Sequence, residues 1–430
     1  ASCLVGSEMC IRDSSNTDFI DNAGGVDCSD HEVNIKILLN EIVTAGDMTG
    51  KQRNTLLAEM TEDVGNLVLG NNYKQTQALS LAERRARERQ GEYKRLMAAL
   101  EAAGKLDRAL EFLPSEEELN ERATKGQGLT RPELSVLISY SKIELQEALI
   151  KSDITDDEYL SREMETAFPP RLAQEYGEAM RRHRLKREIV STQIANDLVN
   201  HMGITFVQRL KESTGVGSAQ VAAAYVVVRD VFHLPFWWRQ IEALDNQVPA
   251  DLQLTMMDEL MRLGRRATRW YLRSRRNDLD AARDVAHLGP RVKALAMRLD
   301  ELLEGPARDE WMARYQTYVE AGVPELLSRV VAGTGHLYTL LPIIESADLT
   351  GREPTEVASA YFAVSDALDL SWYLQQISGL SVESNWQALA REAFRDDLDA
   401  QQRAITVSVL QLANGPESIE ARVEAWLEQN

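Results

Sequence analysis

Thr130-Arg-Pro-Glu-Leu-Ser-Val-Leu-Ile-Ser-Tyr-Ser-Lys-Ile-Glu-Leu-Gln-Glu-Ala-Leu149 decides the fold class. Its apolar residues Leu134, Leu137, Ile138, Leu145 and Leu149 recur at helical spacing. That is the period of one face of an α-helix, not the alternation of a strand. Thr130 and Glu133 ahead of them form a capping box: the hydroxyl accepts from an early backbone N–H, and the carboxylate reaches back to another. The same signature stands at Thr49–Gln52, Ser80–Glu83 and Ser115–Glu118. Gly or Pro punctuates Gly70-Asn-Asn72, Lys125-Gly-Gln-Gly128, Phe168-Pro-Pro170, Gly289-Pro290, Gly305-Pro306 and Gly322-Val-Pro324, which are read as loops. Strand-like alternation is scarce, so the chain after residue 45 is expected to be all-α.

The chain has 430 residues, room for about three domains at ~150 residues each. Hydrophobic residues make up 44% and charged residues 27%, enough apolar content for a sizeable core. The net charge of −19 makes phosphate backbones and anionic lipid poor partners. The apolar run from Val221 is broken by Arg229, Asp230 and His233, so no bilayer span is read. Three cysteines, Cys3, Cys10 and Cys28, pair in no obvious way and point to a reducing, cytoplasmic setting. Ala1 to Asp13 has neither periodicity nor the pattern of a signal peptide, and is expected to be a non-native leader.

One internal repeat is present. Val221-Ala-Ala-Ala-Tyr-Val-Val-Val-Arg-Asp-Val-Phe-His-Leu234 matches Val357-Ala-Ser-Ala-Tyr-Phe-Ala-Val-Ser-Asp-Ala-Leu-Asp-Leu370 at an ungapped offset of 136 residues. Thr214-Gly215 and Gln240-Ile241 recur as Thr350-Gly351 and Gln376-Ile377. A duplicated helical unit is expected, over about 214–275 and 350–410.

Chemistry is concentrated in Asn16-Thr-Asp-Phe-Ile-Asp-Asn-Ala-Gly-Gly-Val-Asp-Cys-Ser-Asp-His-Glu32. Gly24-Gly25 allows a turn, and Ser29 with Glu32 reads as a capping box opening a helix through Val33, Ile35, Leu38, Leu39 and Ile42. A helix N-terminus favours an anion such as a carboxylate. The same pattern also occurs in proteins that bind nothing, and four nearby acids, Asp21, Asp27, Asp30 and Glu32, work against an anion.

Asn22-Ala-Gly-Gly-Val26 with Ser29 and Glu32 resembles the Asn-Ala-Gly-Gly-Val-x-x-Ser-x-x-Glu motif of glutamate dehydrogenases. The wording through Leu38 is similar to the large bacterial NAD-specific form. So are Gly65-Asn-Leu-Val-Leu69, Gly128-Leu-Thr-Arg-Pro-Glu-Leu-Ser-Val136, Ser139-Tyr-Ser-Lys142, His183-Arg-Leu-Lys-Arg-Glu188 and Gly203-Ile-Thr-Phe-Val207. The resemblance runs from about residue 16 to the end.

The resemblance implies a part of an NAD-dependent glutamate dehydrogenase, which converts L-glutamate to 2-oxoglutarate and ammonia as a homo-oligomer. It places Ser29 on the distal carboxylate of glutamate, Val26, Gly24 and Gly25 along the same pocket, and Asn22 near the nicotinamide. The family's catalytic lysine and aspartate and its nucleotide-binding loop lie upstream of this motif. No catalytic residue is therefore assigned, NAD is expected to be bound mainly by that upstream domain, and the chain is expected to be inactive alone. The division implied is a leader at 1–13, a remnant of the α/β catalytic domain at 14–45, and helical regions at 46–200 and 201–430. A freestanding helical interaction or scaffold protein is the alternative.

Other candidates read as structural. Cys28 and His31 lack a second pair for zinc, and no metal site is expected. Gly215-Val-Gly217 lacks the third glycine of a dinucleotide turn. The basic runs at 84–89, 181–187 and 262–276 are read as solvated faces and ion pairs within an oligomer, ahead of a nucleic-acid groove. Tyr225, His233, Phe236, Trp237 and Trp238 are read as core between packed helices.

Overall fold

A computed structural model describes residues 16–275, 278–381, 384–412 and 418–429. The expected leader, with Cys3 and Cys10, lies outside the described residues. Helices account for nearly all of the rest, and no strand occurs among the described residues. The chain divides into two compact units at residues 226 and 227.

The first unit is built on α7 (Arg131–Ile150). The Thr130–Glu133 capping box is in place, with the Thr130 N–H donating to the Glu133 carboxylate at 2.7 Å. Leu134, Leu137, Ile138, Leu145 and Leu149 are all buried, as their spacing requires. Each contributes about 1.5–3 kcal/mol by leaving water. Around α7 pack α4 (Thr61–Arg84), α9 (Lys186–Met202) and the 3-10 turn Asp153–Asp156. α2 (Gly24–Ala45) lies against α4, α3 (Gly50–Glu59) and α8 (Pro170–Arg181). α1 (Asp18–Asp21), α5 (Gln90–Ala102), α6 (Glu116–Thr124) and α10 (Phe206–Thr214) complete the unit, followed by α11 (Ser218–Val231). Arg131 is 5% exposed and ties the parts together. Its guanidinium donates to the Asn16 side chain, Ser80, Glu83 and the Thr76 carbonyl at 2.6–3.1 Å.

The boxes at Thr49 and Ser115 form as read. Three other local readings are corrected. Ser80 caps nothing: it lies inside α4 and donates to the Thr76 carbonyl. Gly70-Asn71-Asn72 is no loop, since α4 runs through it. Asn71 turns its amide out of the helix to Asp27, and the Asn72 amide bonds back to the Val68 carbonyl one turn earlier, so both stay within a continuous helix. Gly289-Pro290 lies inside α14 (Ala281–Ala296), which tolerates the missing N–H.

The second unit begins within α11 and continues with α12 (Leu234–Glu242) and α13 (Ala250–Ser274). After α14 come α15 (Leu299–Leu302), α16 (Gly305–Glu320), α17 (Glu325–Leu337) and α18 (Leu340–Thr350). They are followed by α19 (Pro354–Ala367), α20 (Leu370–Gly379), α21 (Asn385–Leu410) and α22 (Ile419–Gln429). α13 buries Met256, Met257, Leu260, Leu263, Ala267 and Tyr271 and packs on α12 and α17. Several arginines of its basic run are paired within the chain. Arg269 meets Glu392 and Asp396, Arg273 meets Asp396, and Arg266 stacks over Tyr338 at 5.1 Å.

Candidate functional site

The motif residues lie on the first turns of α2, but not as the local pattern suggests. The helix begins at Gly24, five residues before Ser29. Ser29 is therefore no cap. Its hydroxyl donates to the Gly25 carbonyl one turn back, at 3.1 Å. Glu32 does not reach back either, and pairs with Lys36. Nor do Gly24 and Gly25 make a left-handed turn, since neither has positive φ. The break in the chain falls at Asn22, between α1 and α2 (φ −112°). What the glycines leave is bare helix backbone: a Cβ at Gly25 would meet nothing within 4 Å. No side chain caps the N-terminus of α2, so its first N–H groups have no side-chain acceptor.

Helical periodicity then sorts the motif into two faces. Asn22, Gly25, Val26 and Ser29 are exposed, Val26 by 69%, and Gly24 is half-buried beside them. The other face is docked. Ile35, Leu38, Leu39 and Ile42 are buried, and His31 is 5% exposed. The His31 Nδ1 sits 2.9 Å from the Ala167 carbonyl, which can only accept, so Nδ1 carries the proton. Nε2 faces the Asn71 amide at 3.4 Å and the Asp27 carboxylate at 3.6 Å. The same amide donates to Asp27 at 2.9 Å. His183 donates to the Asn34 carbonyl at 3.1 Å and accepts from the Leu185 N–H. Arg184 pairs with Glu41.

Lys142, which local reading left as part of a motif, reaches from α7 to α4. Its ammonium donates to the Gln75 carbonyl at 2.7 Å. Burial pushes its pKa down to about 7, with Asp27 pulling the other way. A signal was present in the sequence: Lys142 stands four residues after Ile138 and three before Leu145, on the edge of the buried face of α7.

The remaining candidates separate. Cys28 is exposed while His31 is buried, and no metal-binding group of side chains occurs among the described residues. Gly215 is the left-handed end of α10, not a phosphate turn. Tyr225 and Trp238 are core, whereas His233 and Phe236 are exposed. No helix of the described residues is long and apolar enough to cross a membrane.

Fold and site define a chain of packed helices that carries an exposed face made of an amide, a hydroxyl, a valine and bare helix backbone. The model of the C-terminal region of glutamate dehydrogenase matches residues 126–430, and the chain belongs to that family. The catalytic-domain model of bacterial NAD-glutamate dehydrogenase matches residues 7–82. An NAD-specific glutamate dehydrogenase of Pseudomonas aeruginosa is 78% identical over 97% of this chain, and the match covers 26% of that relative. Those of Halomonas elongata and Mycobacterium tuberculosis are 53% and 35% identical over 96% of the chain, covering 26% and 25% of their lengths. The chain thus spans about a quarter of the length of these curated relatives.

Proposed function

We propose that this chain is part of an NAD-dependent glutamate dehydrogenase that oxidatively deaminates L-glutamate to 2-oxoglutarate and ammonia. The two-faced character of α2 carries the reading: one face is locked to α4, α3 and α8, and the other leaves Gly25, Val26 and Ser29, with Asn22 just ahead of them, toward solvent. An exposed hydroxyl beside uncapped helix N–H groups is a donor set for a carboxylate. Ser29 needs only to rotate from the Gly25 carbonyl to donate to the distal carboxylate of glutamate. Val26 supplies apolar contact to the methylenes, with Gly24 and Gly25 letting the substrate approach the backbone.

A dinucleotide cradle is a strand, a Gly-rich turn and a helix. No strand occurs among the described residues, which supports a reading in which NAD is bound mainly by the domain upstream of the motif. Asn22 would touch its nicotinamide end from one side. The catalytic lysine and aspartate are assigned to the part of the enzyme upstream of the motif, and the enzyme to a cytoplasmic homo-oligomer.

Two outcomes are expected. The 430-residue chain alone gives no glutamate-dependent reduction of NAD, and steady turnover by it would overturn the division of labour. In the intact enzyme, Ser29→Ala raises KM for glutamate by about tenfold or more, the loss expected for a hydrogen bond to a charged group. Helix content stays unchanged, because Ser29 is exposed. An unaltered KM would remove Ser29 from the pocket.

A further inference from the structure

We propose that the outward side of α20 and the start of α21 form a contact between two copies of this chain. This deepens the homo-oligomer part of the proposed function and rests on that part alone, so its test needs no turnover. Trp372, Tyr373, Leu380 and Phe394 are each about half exposed, and Trp386 is 80% exposed. Helical spacing puts Trp372, Tyr373 and Gln376 on the side of α20 away from Leu370, Leu374 and Ile377. Trp386, Ala390 and Phe394 stand four residues apart, on one exposed stripe of α21. α20 packs on α21, and the two are stitched at the end of α20. Arg395 donates to the Ser378 hydroxyl at 2.6 Å, and Arg391 to the Leu380 carbonyl at 3.3 Å. The outward residues of both helices thus belong to one surface. The Trp372 and Tyr373 rings meet edge to face with centroids 5.0 Å apart. Rings held in this way lose little freedom when a partner arrives.

Charge decides what covers this surface. Leu370–Ala390 holds one charged residue, Glu383, in a chain where 27% of residues are charged. The matching stretch Leu234–Leu254 holds Arg239, Glu242, Asp245 and Asp251. Yet Trp238 and Ile241 of that stretch are buried, whereas Leu374 and Ile377 are partly exposed. Exposure to water would favour the opposite distribution of charge. A face poor in charge and rich in Trp and Tyr has the composition of an interface core. The net charge of −19 makes two copies repel wherever their acidic faces meet. Across α20 they approach without setting like charges opposite each other. A two-fold contact needs one patch that suits itself, and a neutral aromatic face edged by Ser371, Gln375 and Gln376 meets that condition. Its five large apolar side chains leave roughly 500 Å² to water, on the scale of whole aromatic side chains. With the polar edge included, that approaches the ~800 Å² each partner buries in a stable pair.

The test is the mass of the 430-residue chain against its concentration, by sedimentation equilibrium. A reversible step from one chain to two is expected. Trp372→Glu and Trp386→Glu each set like charges on both sides of the contact. Each is expected to raise the dissociation constant about tenfold or more, as the loss of an aromatic anchor does. Phe112→Glu, at an exposed aromatic of the first unit, is expected to leave it unchanged. Both tryptophans are exposed, so helix content by circular dichroism stays the same in either variant. In the intact enzyme, amide exchange of α20 is expected to slow as rising concentration brings subunits together, and Trp372→Glu to remove that protection. A chain that stays single at every concentration reached overturns the proposal. So does a pair that neither tryptophan variant weakens more than Phe112→Glu does. Protection of α20 that persists in a separated subunit puts the upstream part of the enzyme on this face, and overturns it as well. None of these readouts depends on glutamate turnover, so failure here leaves the enzymatic reading untouched.

Discussion

The two stretches related by an offset of 136 residues agree in their helix bounds and differ in their cover. α11 and α12 run Ser218–Val231 and Leu234–Glu242, while α19 and α20 run Pro354–Ala367 and Leu370–Gly379. The residue entering the second helix of each pair is left-handed, His233 at φ 51° and Asp369 at φ 49°. Left-handed backbone costs a side-chain-bearing residue about 1–2 kcal/mol. Two chemically unlike side chains accept it at the same place, so the corner is what recurs, not the chemistry of either residue. The agreement reaches further than the quoted sequence. α8, α9, α10 and α13 correspond to α16, α17, α18 and α21 within three residues at either end. α10 and α18 both stop at a left-handed glycine, Gly215 and Gly351. Cover is where they part. Trp238 and Ile241 of α12 are buried, with α13 and α17 packed against the helix. Their counterparts in α20, Leu374 and Ile377, are partly exposed, and Trp372 and Tyr373 are about half exposed. A helix pair's own residues set its corner and length, but neighbours set its burial.

The widest separation between the copies is expected from truncating the matched isoleucines. Ile241→Ala removes methylenes from a site with 0% exposure and is expected to cost about 2–5 kcal/mol. Ile377→Ala removes them from a partly exposed site and is expected to cost below about 1.5 kcal/mol, since little cavity is left. Urea unfolding of each variant measures both, with the m-value checking that the unfolding transition is unchanged in extent. Equal losses would break the comparison and show that α20 is covered as fully as α12.

The same contrast between local pattern and distant neighbour decides how much could be read from the chain. Helix type followed from periodicity along α7, and the starts at Thr49, Ser115 and Thr130 followed from caps whose partners lie three residues away. Errors arose where the deciding partner is elsewhere. Asn71 joins a helix because Asp27, 44 residues before it, takes its amide. Ser29 and Ser80 carry the spacing of a capping box, yet both hydroxyls donate to carbonyls one turn back inside longer helices. The outward residues Asn22, Gly25, Val26 and Ser29 were picked out by the resemblance to glutamate dehydrogenases, whereas local spacing read Gly24-Gly25 as a turn and Ser29 as a cap. Lys142 was not legible as a buried lysine. Its place against α4 depends on Gln75, 67 residues away along the chain. Spacing alone marks it only as a lysine at the edge of an apolar face.

A smaller effect separates the matched tyrosines. The Tyr225 hydroxyl donates to the Asp197 carboxylate at 3.0 Å. Tyr361 is equally buried, but its hydroxyl has no hydrogen-bond partner among the described residues. Deleting a hydroxyl that serves a carboxylate removes a bond and leaves the acceptor less satisfied, so Tyr225→Phe is expected to cost about 1–3 kcal/mol. Deleting an unpartnered buried hydroxyl removes a desolvation penalty and leaves the ring packed. Tyr361→Phe is therefore expected to be neutral, or to stabilise by up to about 1 kcal/mol. The sign of the difference is more telling than its size, because both substitutions remove the same atom from the same helix position. Thermal unfolding of the two variants gives that sign. If Tyr361→Phe lost as much as Tyr225→Phe, the second stretch would hold its tyrosine through a polar bond as the first does. The copies would then differ in cover alone.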